Sequence, residues 1–340
     1  MNNLKKIGLS ALAGSLAVTA ANASDYSVSG DSVIKYATID APASADTSNG
    51  KGVGVDTDLY FNASGEMDNG WSVAFFQAAN TNSAWSNSSS QVTIGMGSMG
   101  TLQINNVSGA KANGIDDVMP AAYNETWDGL ALSTDNPSFF GGSTANGSVD
   151  YRIPAQEIMG TTINASVTYD PNADLGAPAA GGVGASTVNG IAYTLTLDHE
   201  SGLSIGGGQE KIENGKAIAS DSTGKDEESV TAYVKYAMGP ISVGMQEAYQ
   251  QTANGGADLE ASFWAVAYTA GDLSVSYGES THTTHASSDT TVMDRDNESL
   301  QATYTIGAMT LGAAMSETSN AGGTAGNTYE ETELSVSFAF

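Results

Sequence analysis

The sequence predicts an all-β chain that closes as one antiparallel up-and-down barrel of about 16 strands, and three observations lead there. Apolar residues recur with period 2 in short runs, short Gly- and Asn-containing turns alternate with longer polar connections, and no stretch after the leader reaches the ~18 consecutive apolar residues of a membrane-spanning helix. Such a chain crosses a membrane only as a closed barrel.

The first residues read as an export leader: Lys5 and Lys6, an apolar stretch from Ile7 to Ala21, and a small-residue Ala21-Asn22-Ala23 cleavage site. That predicts a signal peptide at 1–23 and one barrel domain at 24–340. Removing Lys5 and Lys6 leaves nine of the eleven Lys and Arg against 38 Asp and Glu, a net charge near −29. Such a chain repels nucleic acid and attracts cations. Cysteine is absent, which excludes a disulfide framework, a thiolate metal site and a cysteine nucleophile.

The alternation is clearest in the last run, where Leu334, Val336, Phe338 and Phe340 share one face and Glu333, Ser335, Ser337 and Ala339 the other. It begins at Tyr26/Val28 and Ile34/Tyr36. Further runs are Val53/Val55/Leu59/Phe61, Trp71/Val73/Phe75, Val92/Ile94/Met96, Leu102/Ile104, Val149/Tyr151/Ile153, Ile163/Val167/Tyr169 and Ile191/Tyr193/Leu195/Leu197. Then come Leu203/Ile205, Val230/Val234/Tyr236, Ile241/Val243/Met245, Trp264/Val266/Tyr268, Leu273/Val275/Tyr277, Leu300/Tyr304/Ile306 and Met309/Leu311/Met315. Tight turns fall at 68–70, 98–100, 201–202, 238–240, 271–272 and 307–308, with a slightly longer one at 156–160. Polar connections such as 41–50, 107–146, 171–188, 212–228 and 280–296 read as exposed loops. Both termini then lie at the short-turn end, the periplasmic end of an outer-membrane barrel, with the long loops external.

The second face is small and polar, as in Ser72/Ala74, Thr194/Thr196 and Gln301/Thr303/Thr305, and suits a hydrated lumen. Aromatics at strand ends, including Tyr26, Tyr36, Trp71, Tyr169, Tyr236, Tyr268, Tyr277 and Phe340, fit interfacial girdles. The alternation places Lys35, Arg152 and Lys235 on the lumen side, since a cation facing lipid at mid-depth costs about 2–4 kcal/mol.

These residues resemble the general diffusion porins of Gram-negative bacteria, particularly the α-proteobacterial, Rhodobacter-like branch. The hairpin LYFNASGEMDNGWSVAFF at 59–76 looks like that family's strand, Asp-Asn-Gly turn and strand. MGSMGTLQI at 96–104 is similar to its Phe-Gly-x-Leu hairpin, with Met99 in place of the usual aromatic, and SVDYRIP at 148–154 resembles the strand after its constriction loop. Terminal Phe340, with Phe338 two residues before, resembles the signal read by the barrel-assembly machinery.

The resemblance implies a homotrimer in the outer membrane of a Gram-negative bacterium, contacting its lipids and passing ions and small hydrophilic solutes. It also implies that the ~40-residue connection after the fifth strand folds inward, a length unusual unless functional. Asp116, Asp117, Glu125 and Asp128 are then candidates for the acidic side of a constriction, the alternative being an external acidic loop. Lys35, Arg152 and Lys235 would supply the basic wall. The family usually has a denser basic cluster, so a strong transverse field is not expected and a cation-preferring pore is.

Two other functions stay open at this stage: a solute-specific channel with an aromatic track through Tyr60, Phe76 and Tyr233, and an exported carbohydrate-binding β protein. Catalysis is not expected, because His199 with Glu200 and Ser201 sits at a short turn, away from the external leaflet where a barrel lipase would work. No cofactor is expected. His282 and His285 fall in a polar loop, and the alternating Asp294, Asp296 and Glu298 could hold Ca²⁺ only with help from loop carbonyls, without the Gly and terminal Glu of an EF-hand.

Overall fold

A computed structural model describes residues 23–41, 49–80, 86–106, 109–116, 118–126, 139–140, 147–171, 173, 189–213, 226–252, 257–285, 291–321 and 324–340. The leader up to Asn22 lies outside these residues. The strands are β1 (Ala23–Asp40), β2 (Gly50–Glu66), β3 (Ser72–Asn80), β4 (Ser86–Gly95), β5 (Thr101–Asn106), β6 (Val149–Arg152), β7 (Gln156–Ile158), β8 (Thr161–Asp170) and β9 (Gly190–His199). They continue with β10 (Leu203–Ile212), β11 (Glu227–Met238), β12 (Ile241–Gln251), β13 (Asp258–Ala270), β14 (Leu273–His285), β15 (Thr291–Ile306), β16 (Met309–Ser319) and β17 (Thr328–Ala339).

Segments β6 and β7 are one interrupted strand, both pairing with β8 and broken at Pro154, which has no N–H to give the ladder. Counting them together gives the 16 strands expected. Every neighbour is antiparallel, and β1 pairs with both β2 and β17, so the sheet has no edge. The last bonds of the seam are made by the terminal residue: Gly30 N donates to Phe340 O (2.7 Å) and Phe340 N to Gly30 O (2.9 Å). Hairpins such as Gly271-Asp272 and Gly307-Ala308 place glycine at φ near +60°, the first position of turns whose twist matches the strands.

Burial runs opposite to that of a water-soluble sandwich. The outward series is exposed, with Leu300, Met315 and Leu334 each more than half accessible, whereas Gln103, Asn105, Asp150, Thr168, Gln246 and Gln301 are buried inside. So large an exposed apolar surface is a membrane surface, which removes the carbohydrate-binding alternative.

Several rim residues assigned to loops belong to strands. Asp294, Asp296 and Glu298 lie at alternate positions of β15, and His282 and His285 lie in β14. Within the 280–296 segment, 280–285 belong to β14 and 291–296 to β15, and residues 286–290 lie outside the described residues. Hydroxyl and acidic residues continue the ladder here without an apolar face, so period 2 vanishes from the sequence while the hydrogen bonds persist.

Above the apolar band the register sets five carboxylates in one outward row across adjacent strands. Glu279 faces Glu298, Glu298 faces Glu317, Glu317 faces Glu330, and Glu330 faces Asp40. Tyr277 Oη lies 2.7 Å from a Glu279 oxygen and 2.8 Å from a Glu298 oxygen, with one proton to share between them, and Trp264 Nε1 donates to Glu279 (3.1 Å). Like charges placed directly opposite one another destabilise a sheet. Glu317→Gln should therefore raise the temperature at which the folded, compact gel band is lost, by relieving contacts worth about 0.2–1 kcal/mol each. The gain should shrink near 1 M salt, where the screening length falls to about 3 Å. An unchanged or lower transition at low salt would contradict this account.

Candidate functional site

The site is built by the connection between β5 and β6, whose residues 109–116, 118–126 and 139–140 lie against the inner wall. Its start is held at β5–β6: the Gly109 carbonyl accepts from Gln103 Nε2 (2.6 Å) and Arg152 Nη2 (3.1 Å), and Lys111 N donates to Asp150 (3.3 Å). Ala112 and Ile115 then bury against Ala192, Tyr233 and Phe140, while Gln246 Nε2 donates to the Ile115 carbonyl (2.9 Å). Phe139 packs on Ala248, Ala261 and Phe263, and its carbonyl accepts from Ser229 and Gln250.

Further along, neutral wall side chains satisfy the loop backbone almost group by group. Ser276 Oγ accepts from Ala122 N (2.8 Å), Gln301 Oε1 accepts from both Tyr123 N (3.1 Å) and Asn124 N (2.9 Å), and Thr303 Oγ1 donates to Ala122 O (3.0 Å). Tyr123 Oη donates to Glu333 on the seam strand β17. The loop lies where inward positions are glycine: a side chain begun at Gly244 would meet Pro120 at 2.9 Å, one at Gly312 would meet Tyr123 at 2.9 Å, and one at Gly208 would meet Phe140 at 3.0 Å.

The charges fall as follows. Asp116 is half-buried on the loop, and Glu125 accepts from Met119 N (3.1 Å), so it braces the loop's own turn; Asp117 and Asp128 lie outside the described residues. Lys35, Arg152 and Lys235 take the inward phase of β1, β6 and β11. Lys35 Nζ is 3.3 Å from Glu333 and 5.9 Å from the Tyr123 ring centre, which a cation–π contact tolerates. Arg152 Nε donates to Asp150 at 2.7 Å, and Asp150, wholly buried, also accepts from Thr168 (2.8 Å). Two of the three wall cations thus stand beside carboxylates.

Sequence reasoning missed the wall acids. Asp56 and Asp58 alternate with Val55, Thr57 and Leu59 on β2, so they point inward, and Asp58 faces Asp31 across the β1–β2 register. Tyr60 Oη donates to Asp31 (2.7 Å), Asn80 Nδ2 to Asp56 (3.3 Å), and Tyr60 stacks on Phe76 at 6.2 Å. The phase rule used for Lys35 would have found all three acids. Tyr233, by contrast, is covered by the loop and does not continue the Tyr60–Phe76 pair into a track.

Comparison with known proteins agrees with this geometry. The sequence pattern of a family described as Gram-negative porin matches residues 8–293. A solved porin shares 16% identity at a TM-score of 0.63, covering 93% of this chain and 100% of that one. OmpF of Salmonella typhi, solved with daunomycin, shares 10% identity at a TM-score of 0.66, covering 93% of this chain and 97% of that one. OmpT of Vibrio cholerae, solved in a trimer form, shares 12% identity at 0.61, covering 93% and 99%. No curated protein matches the sequence.

Replacing Gly244 with leucine should push the loop off β12, because Pro120 and Met119 already occupy that volume. Single-channel conductance should rise, and the 109–126 segment should become cleavable by external protease in a barrel that still runs as folded. Unaltered conductance and protection would mean that this contact does not hold the loop.

Proposed function

The chain belongs to the Gram-negative porin family, multi-pass β-barrels of the outer membrane, and from that premise we propose that it is a cation-preferring general diffusion pore for ions and small hydrophilic solutes. The observation behind the preference is the cluster of acids on the β1–β2 wall. Glu333 and Asp150 stand against Lys35 and Arg152, and Asp31, Asp56 and Asp58 are gathered on the wall of β1–β2, where Tyr60 donates to Asp31 and Asn80 to Asp56. In a water-filled pore with low-dielectric walls such a wall concentrates cations and repels anions. These wall acids add to the acidic side that Asp116, Asp117, Glu125 and Asp128 were expected to provide from the loop.

Asp117 and Asp128 remain proposed contributors on the loop, and Lys235 a proposed basic wall group. Assembly as a homotrimer is proposed on the likeness to OmpT, whose trimer form shares this architecture at 12% identity. Phe338 and Phe340 both face outward, 41% and 65% exposed, where the barrel-assembly machinery would meet them. Cleavage of residues 1–23 on export completes the reading.

In planar bilayers under a KCl gradient the purified protein should give stepwise conductance with a reversal potential of cationic sign. Asp56→Asn with Asp58→Asn should move that potential toward zero while the steps persist. An anion-preferring channel, or one whose preference ignores both substitutions, would overturn the assignment.

A further inference from the structure

Behind the loop, on its β6–β11 side, the lumen widens into a cavity of about 540 Å³, within the range of small-molecule sites. The charged residues of its lining sit at opposite ends. At the upper end are Lys111, on the loop, and Arg152, whose guanidinium is fixed by Asp150 and the Gly109 carbonyl. Buried Asp150 offsets one of these two cations, so the end carries one net positive charge. At the lower end lies Asp198, with Ser204 Oγ donating to one of its oxygens at 2.6 Å.

Between the ends the wall is neutral and rich in hydrogen-bonding groups. Ser166 and Thr194 pair through their hydroxyls at 2.6 Å, and Asn164 Nδ2 donates to Thr196 at 3.3 Å. Register fixes the spacing: Arg152, Ser166 and Thr194 share one row, and Asp198 stands four residues below Thr194 on β9. Four strand residues span about 13 Å. Lys235, facing Ser204 from β11, lies in the row of Asp198 but does not line the cavity.

We propose that this cavity is a resting site for short zwitterionic peptides, with the carboxylate at Lys111 and Arg152 and the ammonium at Asp198. Backbone amides pair with the hydroxyl and amide wall between. Three extended residues reach about 10 Å, which with the lengths of Lys111 and Asp198 bridges the two ends; a single amino acid, at about 3.5 Å, does not. A simple anion would gain only the upper end and a simple cation only the lower. The assignment rests on the pore reading, and it adds a preference that general diffusion lacks.

The test is current block in single channels of the full-length protein, using triglycine, glycine, N-acetyl-triglycine and triglycine amide as probes. Triglycine should block at a concentration at least fivefold below those of the other three. Asp198→Asn should abolish its advantage over N-acetyl-triglycine, and Lys111→Gln its advantage over triglycine amide, in channels that still open. Equal block by capped and free peptides, or triglycine block unaffected by either substitution, would overturn the proposal while leaving the pore in place. Folded barrels that conduct no current would instead overturn the pore reading.

Discussion

An unpaired peptide group in hydrocarbon costs several kcal/mol, and a strand cannot pair its own backbone groups. Everything in this molecule follows from the need to leave no sheet edge in lipid. The ladder therefore runs through all 16 strands and returns on itself where β1 meets β17. Closure reaches the last residue, since Gly30 and Phe340 exchange both backbone hydrogen bonds. A side chain at residue 30 would strike the Asp58 carbonyl at 2.6 Å and the Phe340 ring at 2.9 Å, so a bare backbone there leaves room for the terminal aromatic beside the seam.

The same rule governs the loop once it enters the barrel, because its peptide groups lose bulk water against the wall. Buried backbone groups must be paired, and here the wall side chains pair them: Gln246, Ser276, Gln301 and Thr303 are placed by alternation and aimed at successive loop N–H and C=O groups. Neutral partners suit this task, since a buried ion that loses its counter-charge costs far more than an amide that loses one bond. Charged wall groups that do meet the loop come with carboxylates, as at Lys35–Glu333 and Arg152–Asp150.

Strand number, handedness of phase and the inward set were legible because a lipid-facing series must be apolar at every second residue, and Leu334 to Phe340 or Ile191 to Leu197 carry no exception. The rim was not legible for the same reason: where β14 and β15 rise above the apolar band, Thr281, Thr283, Asp294 and Asp296 face water and period 2 has no chemical cause to persist. The loop's docking left a signal that periodicity ignores, the inward glycines Gly244 and Gly312, each 34 residues from Gly278 between them on alternate strands. Pairing partners such as Glu333 for Lys35 depend on register across the closing seam, the one neighbour relation with no turn to reveal it.

Because the two phases of each strand answer to different solvents, they vary independently. The outward phase is constrained in polarity but scarcely in shape, as lipid tails accommodate Tyr268 beside Ile241 without a matched surface. The inward phase is constrained in size wherever the loop rests and in charge wherever the passage is narrow. An acid moved from Asp58 to an outward position would leave the net charge unaltered and would cost the membrane face its continuity. The count of charges in the sequence therefore says little about ion preference, whereas the parity of their positions on each strand says a great deal. In this chain Asp31, Asp56 and Asp58 share the inward phase of Lys35, whereas Glu279, Glu298, Glu317 and Glu330 take the outward phase at the boundary between lipid and water.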